Sequence, residues 1–351
     1  MSGEEVIPPN AIPDRFSRKL VLILALSIWT AFTAFCGASR GFTSLVIGRV
    51  GTGAAESAAP PASLSIIADS FPAQRQSSAT GIFYASSAVG GILAFSVGGY
   101  LAQHYGWRTS FYAAAVPAIL LIPMIIVFFV EPARAGPAAK RVPIGEAFAA
   151  IRADERLALL LVSVPLAAMP LGLMGWIVSL LIRNHGMQLS QATNVLSLVT
   201  AVCIPAGHFL GGLVGDRLAA RRPGAQIWLS AIAIALGGLF GIVVALSSNS
   251  TMTVGALMCF AFFATLYLAP GFSTIMFLAP AGARATVMAM VTVLGNLAGT
   301  GLAPLMAGYL SDAIGGPHSL SPAIALVMTL ALVPAILFVL AGRRLQSPMS
   351  R

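Results

Sequence analysis

Apolar residues along this chain gather into long unbroken runs, and polar residues are confined to the stretches between them. A window of about 19 residues picks out ten such runs, at 20–37, 42–68, 79–102, 109–130, 157–182, 190–214, 226–247, 251–278, 285–310 and 322–342. A helix rising about 1.5 Å per residue needs about 20 residues to cross the hydrocarbon of a bilayer, and most runs are that long. Strands of a membrane barrel would instead be short and alternate in polarity. The pattern predicts an all-α integral membrane protein with ten spans. The first 19 residues hold no apolar run, so no cleaved leader is expected.

Composition removes the soluble alternative. Of 351 residues, 58% are hydrophobic and 9% charged, and the mean hydropathy is +0.89. Soluble domains carry about 25% charged residues. This much apolar surface has to face lipid. The net charge of +9 is not arranged as a basic patch interleaved with aromatics, so no nucleic-acid partner is expected. It sorts by side instead. With the N-terminus inside, 16 of the 20 Lys and Arg fall in cytoplasmic segments, Arg40, Arg108 and Arg183 fall outside, and Arg49 lies within a span. That asymmetry predicts a multi-pass protein of the cell (inner) membrane with both termini cytoplasmic.

The stretch 133–156 is the long polar connection, with eight charged residues in 24. It divides an N-terminal bundle of four spans (1–132) from a C-terminal bundle of six (157–351), and reads as a cytoplasmic linker. The halves repeat weakly. Asp14-Arg15 with Arg18 corresponds to Asp216-Arg217 with Arg221, 202 residues later (216 − 14), and Gly99-Tyr100-Leu101 corresponds to Gly308-Tyr309-Leu310. Each Asp-Arg motif is followed by four spans, and only the second is preceded by two more. By its own symmetry the chain should hold twelve helices, and it is expected to lack the first two.

The doubled Asp-Arg loop resembles motif A of the major facilitator superfamily. Arg49-Val50-Gly51-Thr52-Gly53-Ala54-Ala55 is similar to its motif B. Gly81, Gly90 and Gly98-Gly99 sit at the spacing of its motif C, with Ala94-Phe95 in place of Gly-Pro. Arg49 through Pro60, Ser65-Ile66-Ile67-Ala68-Asp69, Arg284, Gly295-Asn296-Leu297 and Gly308-Tyr309-Leu310-Ser311-Asp312 resemble the spinster-like branch. The resemblance implies a two-bundle helical fold, here four plus six spans in place of twelve. It also implies secondary transport by alternating access. Asp14, Arg15, Arg18, Asp216, Arg217 and Arg221 would form cytoplasmic latches that hold one conformation.

Two charges stand inside one span. A charge at the bilayer centre costs about 2.5–3.5 kcal/mol even on the lenient insertion scale, so Arg49 and Glu56 must face a water-filled cavity. They are seven residues apart and share one helix face, about 10.5 Å apart along the axis. Pro60 has no N–H for the Glu56 carbonyl, and Pro61 has none for that of Ser57. Free acceptors beside a carboxylate are tolerated where they line a cavity. Glu56 is the expected proton-coupling group and Arg49 the anchor for an anionic solute. A structural ion pair is the alternative. Phe83, Tyr84, Trp176, Tyr267 and Asn296 are candidates for the cavity wall, with packing or interfacial roles as the alternative.

The three cysteines lie inside apolar runs without metal-ligand spacing, and the chain has no HExxH, Walker A loop or GxSxG. No metal, cofactor or enzymatic activity is expected. The expected function is secondary active transport of a small organic or lipid-derived, anionic solute, coupled to protons. The expected partners are that solute, protons and membrane lipids, and the chain is expected to be a monomer. The alternatives are a drug or organic-acid exporter of the same superfamily and a truncated membrane protein that transports nothing.

Overall fold

The computed structural model describes residues 17–56, 59–71, 73–132, 144–222, 224–280 and 283–346, and all regular structure among them is helical. The chain divides into two compact units, Met1–Ala139 and Lys140–Arg351.

The first unit holds α1 (Arg18–Ala38), α2 (Phe42–Glu56), α3 (Ala59–Ser70), α4 (Ala73–Tyr105) and α5 (Trp107–Phe128). Ser17 caps α1 by accepting from the Leu20 N–H at 3.3 Å, which satisfies one of the donors a helix start leaves free. α1 packs on α2, α3 and α5, and α4 on α3 and α5. Glycine sets the α1–α2 approach: a Cβ at Gly48 would meet the Cys36 sulfur, and one at Gly51 the Phe32 ring.

The second unit opens with a short helix, α6 (Ile144–Ala153), inside the stretch expected to be linker. Its first span is three pieces, α7 (Glu155–Leu166), α8 (Met169–Gly172) and α9 (Met174–His185). Asp154 caps α7 by accepting from the Arg156 N–H at 2.9 Å, and the guanidinium of Arg156 holds the Asp154 carboxyl below its usual range. Gly186, at φ 62°, ends α9 in the left-handed conformation. Then follow α10 (Leu189–Arg221), α11 (Ala225–Leu246), α12 (Ser250–Leu266), α13 (Leu268–Leu278) and α14 (Arg284–Asn296). A π-helical turn at Leu297–Leu302, α15 (Ala303–Ile314), α16 (Leu320–Thr329) and α17 (Leu332–Gln346) complete the unit. Its core joins Leu157, Leu160 and Val164 of α7 to Ile227 and Ile234 of α11, Val287 of α14 and Phe338 of α17.

Eight helical stretches among the described residues are long and apolar enough to cross a membrane. They are Arg18–Ala38, Trp107–Phe128, Glu155–His185, Leu189–Arg221, Ala225–Leu246, Ser250–Leu278, Thr286–Ile314 and Leu320–Gln346. They fall on eight of the ten expected runs. The described residues of the runs 42–68 and 79–102 are helical too, as α2, α3 and α4. Pro205 does not interrupt its helix, since α10 runs unbroken from Leu189 to Arg221. A proline costs a single helical hydrogen bond, and a membrane helix held by its neighbours absorbs that loss.

Candidate functional site

Within the first unit, α1 to α5 surround a cavity of about 840 Å³. Its wall is mostly small and aliphatic side chains from α1, α4 and α5, among them Ala25, Ala94, Val97, Ala114 and Leu121. Ligand pockets are lined mainly by apolar side chains with a few polar groups among them. Glu56, at the described end of α2, is the one charged residue in the lining among the described residues. Trp29 and Ser110 are the other lining residues with a polar atom in the side chain, and the Ser110 hydroxyl donates to the Gly98 carbonyl at 2.8 Å.

Arg49 does not line this cavity, although it is exposed. Seven residues bring the two side chains to the same angle around the helix, but the rise of about 10.5 Å carries Arg49 past the end of the cavity. Neither Arg49 nor Glu56 makes an ion pair or hydrogen bond with another side chain among the described residues. The spacing therefore gives a shared face without giving a shared site.

A second constellation sits where α1 begins and α5 ends. The Arg18 guanidinium, buried, pairs with Asp69 at the end of α3 and through Nε with Glu131 Oε1 at 3.1 Å. Its Nη2 donates to the Pro132 carbonyl at 2.8 Å, and its backbone N–H donates to Glu131 at 2.9 Å. Lys19 donates through Nζ to the carbonyls of Ile126 at 2.9 Å and Phe129 at 2.7 Å. The Ser17 hydroxyl, the backbone N–H groups of Arg18 and Lys19 and the Arg18 guanidinium together hold the Glu131 carboxyl down to about 2, against the opposing effect of burial. These contacts staple three helices at one end of the unit, where the sequence pointed to Arg18 alone.

The other expected residues are dispersed. Asp14 and Arg15 lie outside the described residues. Asp216, Arg217 and Arg221 are exposed along the last turns of α10. Phe83 is half-buried on α4 and is not in the cavity lining, and the side chain of Tyr84 lies outside the described residues. Trp176 Nε1 donates to the Pro304 carbonyl at 3.0 Å, on the far side of the π turn. Tyr267 is 3% exposed, with its hydroxyl 3.5 Å from the Val164 carbonyl and its ring beside Phe338. Asn296 is exposed at the last position of α14, and its carbonyl accepts from the Thr300 hydroxyl at 2.8 Å. Trp176 and Tyr267 thus bind carbonyls next to helix breaks, which is how a buried indole or phenol satisfies its polar atom.

Glu131 and Trp29 are site residues that sequence reasoning did not name, and Asp69 entered it only within the stretch that resembles the spinster-like branch. Asp69 and Glu131 each follow an expected run directly, and each is an acid at a predicted span boundary.

The sequence model of the Major Facilitator Superfamily matches residues 10–301. A Major-Facilitator-type efflux pump of Mycolicibacterium smegmatis is 27% identical over 340 residues, covering 95% of this chain and 79% of the pump. The 3-(3-hydroxy-phenyl)propionate transporter of Escherichia coli is 27% identical over 302 residues, 85% of this chain and 72% of the transporter. Among solved structures, a bacterial homologue of the human lysosomal transporter Spinster, inward-facing and unoccupied, superposes with a TM-score of 0.84 at 23% identity, covering 97% of this chain and 88% of that one.

Proposed function

This chain belongs to the Major Facilitator Superfamily, and from that premise we propose that it is a proton-coupled secondary transporter of a small organic or lipid-derived solute, working by alternating access. The observation that carries the reading is the position of Glu56, an acid on an otherwise apolar cavity wall. Among the described residues it is the one charged group of the lining, and a carboxylate reached by both proton and solute couples the movement of the two.

The remaining assignments follow from the same reading. The chain crosses the cell membrane ten times, with both termini in the cytoplasm, and acts as a monomer. Arg18, with Asp69 and Glu131, forms a cytoplasmic latch in the first unit, and Asp14, Arg15, Asp216, Arg217 and Arg221 belong to the same gate. A conformational equilibrium needs only a few kcal/mol of bias, which a charge cluster of this kind can supply. Arg49, off the cavity, gives little support to an anionic solute. Export of a drug or organic acid is the second reading, and the two relatives named above favour it by their own names.

The test is flux. Purified protein in liposomes, given an imposed pH gradient, should move protons in response to solute, and Glu56→Gln should abolish that response while leaving protein yield intact. Solute-dependent proton movement that is equal in wild type and Glu56→Gln would remove Glu56 from the mechanism.

A further inference from the structure

We propose that His185 is an acid-released latch: a neutral imidazole that ties the last piece of the broken first span of the second unit to α12, and lets go when it takes a proton. Neither Glu56 nor the cavity of the first unit enters it, so it fails or survives apart from the transport reading.

The span Glu155–His185 is cut at α8, so α9 is a separate helix of 12 residues between that break and Gly186. It packs on α10 and α8, and two neighbouring side chains in its last turn carry it further. Adjacent residues point about 100° apart on a helix, and these two take hold of different partners. Asn184 donates through Nδ2 to the Ser321 hydroxyl of α16. His185 meets the first turn of α12, with Nδ1 3.2 Å from the Ser250 hydroxyl and Nε2 3.2 Å from that of Thr253, a wholly buried residue. A neutral imidazole has one N–H donor and one acceptor nitrogen. Two hydroxyls, one accepting and one donating, complete it.

A proton spoils this arrangement. The imidazolium donates from both nitrogens and accepts at neither, so the hydroxyl that donated has to turn its hydrogen away. The new charge also meets no acid. Arg183 stands two residues back in the same turn of α9. The first turn of α12 presents the positive end of a helix, and Cys259 is the one ionisable side chain that α12 carries. α8 carries none, and α10 carries none before Cys203, about four turns from its start. Asp312 and His318 belong to α15 and the loop before α16, on the side that Asn184 takes. The closing carbonyls of α9 favour a cation, but that of Leu181 already accepts from the Gly186 and Met187 N–H groups. Released into water, the imidazole takes its proton at about pH 6.5. The latch is therefore engaged above that value and is lost as pH falls below it. In the topology proposed above this end of the unit lies outside, so the pH it reads is the outer one.

The test is hydrogen exchange on the full chain in phosphatidylcholine nanodiscs between about pH 8 and 5, a range that brackets the ordinary histidine value, corrected at each pH for the exchange of free peptides. Uptake of one proton shifts an opening equilibrium by at most about tenfold per pH unit. Below about pH 6.5 the wild type should lose protection at 180–189 and 249–254 by several-fold per unit, up to that limit, while α11 keeps its own. His185→Gln retains a donor and an acceptor and has no proton to gain, so its protection there should not change with pH. His185→Ala should be poorly protected throughout. Wild-type protection that stays flat across the range overturns the latch, and this arm needs no variant. An equal loss in α11 overturns it too, since the whole unit would then be opening. So does a pH slope in His185→Gln that matches the wild type, or a His185→Ala that is as well protected as the wild type at the alkaline end.

Discussion

Arg18 is held by acids 51 and 113 residues away in sequence, Asp69 and Glu131. Its side chain is 8% exposed, and theirs are 18% and 24% exposed. Removing the cation leaves two partly buried carboxylates without the partner they share, and such losses cost about 3–5 kcal/mol when the pair is fully buried. Arg18→Leu should therefore cost about 3 kcal/mol, near the lower end of that range, read as a lowered melting temperature in detergent. Asp69→Asn should cost less, since it leaves Arg18 paired with Glu131. A melting curve for Arg18→Leu that overlays the wild type would show that the cluster holds nothing. The sign of the pH effect follows from Glu131, whose carboxyl is lowered from 4.5 to about 2. A carboxyl depressed on folding contributes stability that is complete above the ordinary value and is lost as pH falls through the depressed one. The stability gap between wild type and Glu131→Gln should shrink as acid is added between about 4.5 and 2. A constant gap across that window would detach the depression from folding. At this scale the sequence showed Arg18 through the charge pattern of its loop. It could not show the partners, because pairing across 51 and 113 residues depends on which helix ends meet.

At the scale of the helix, apolar runs in the sequence give length well and internal breaks poorly. The run 157–182 becomes α7, α8 and α9, and 251–278 becomes α12 and α13. The breaks lie beside Pro165, Pro170 and Pro270, while Pro205 leaves α10 whole. Proline removes the same hydrogen bond in every case, and what differs is the packing around it. The break in the first span of the second unit is pinned by a glycine contact, since a Cβ on Gly172 would run into the Gly299 carbonyl and one on Gly299 would crowd Ala168. Gly299 lies in the π turn, a distortion that sequence periodicity does not reveal. Forcing atoms into a packed contact costs about 1–3 kcal/mol or more. Gly172→Ala should destabilise the protein by at least that much in thermal unfolding, while Gly175→Ala, three residues on with open space around it, should be neutral or slightly stabilising. Equal melting temperatures for the two variants would mean that the contact is not made in the membrane.

At the scale of the whole molecule the sequence repeat relates helices of the first unit to helices of the second. In the sequence repeat, α1, α2 with α3, α4 and α5 correspond to α11, α12 with α13, α14 with α15, and α16 with α17. In the second unit those four spans pack around Glu155–His185, whose most apolar window is 56% buried, against 28% for Arg18–Ala38 and 11% for Trp107–Phe128. Leu157, Leu160, Ile177 and Leu180 of that span are wholly buried. In the first unit α1 to α5 line the cavity, with Glu56 in its wall. Eight of the ten expected spans were legible in the sequence as helices long and apolar enough to cross a membrane. The cavity was not, because an alanine or glycine reads the same whether it packs on a helix or borders a void. Unfilled volume costs contact energy, and local opening is easiest where few apolar contacts are buried. Hydrogen exchange in nanodiscs should therefore find α7, α11 and α17 protected well beyond α4 and α5, and a solute that fills the cavity should raise protection in the first unit alone. Protection that is uniform across both units, without solute, would mean that the first unit is as well filled as the second.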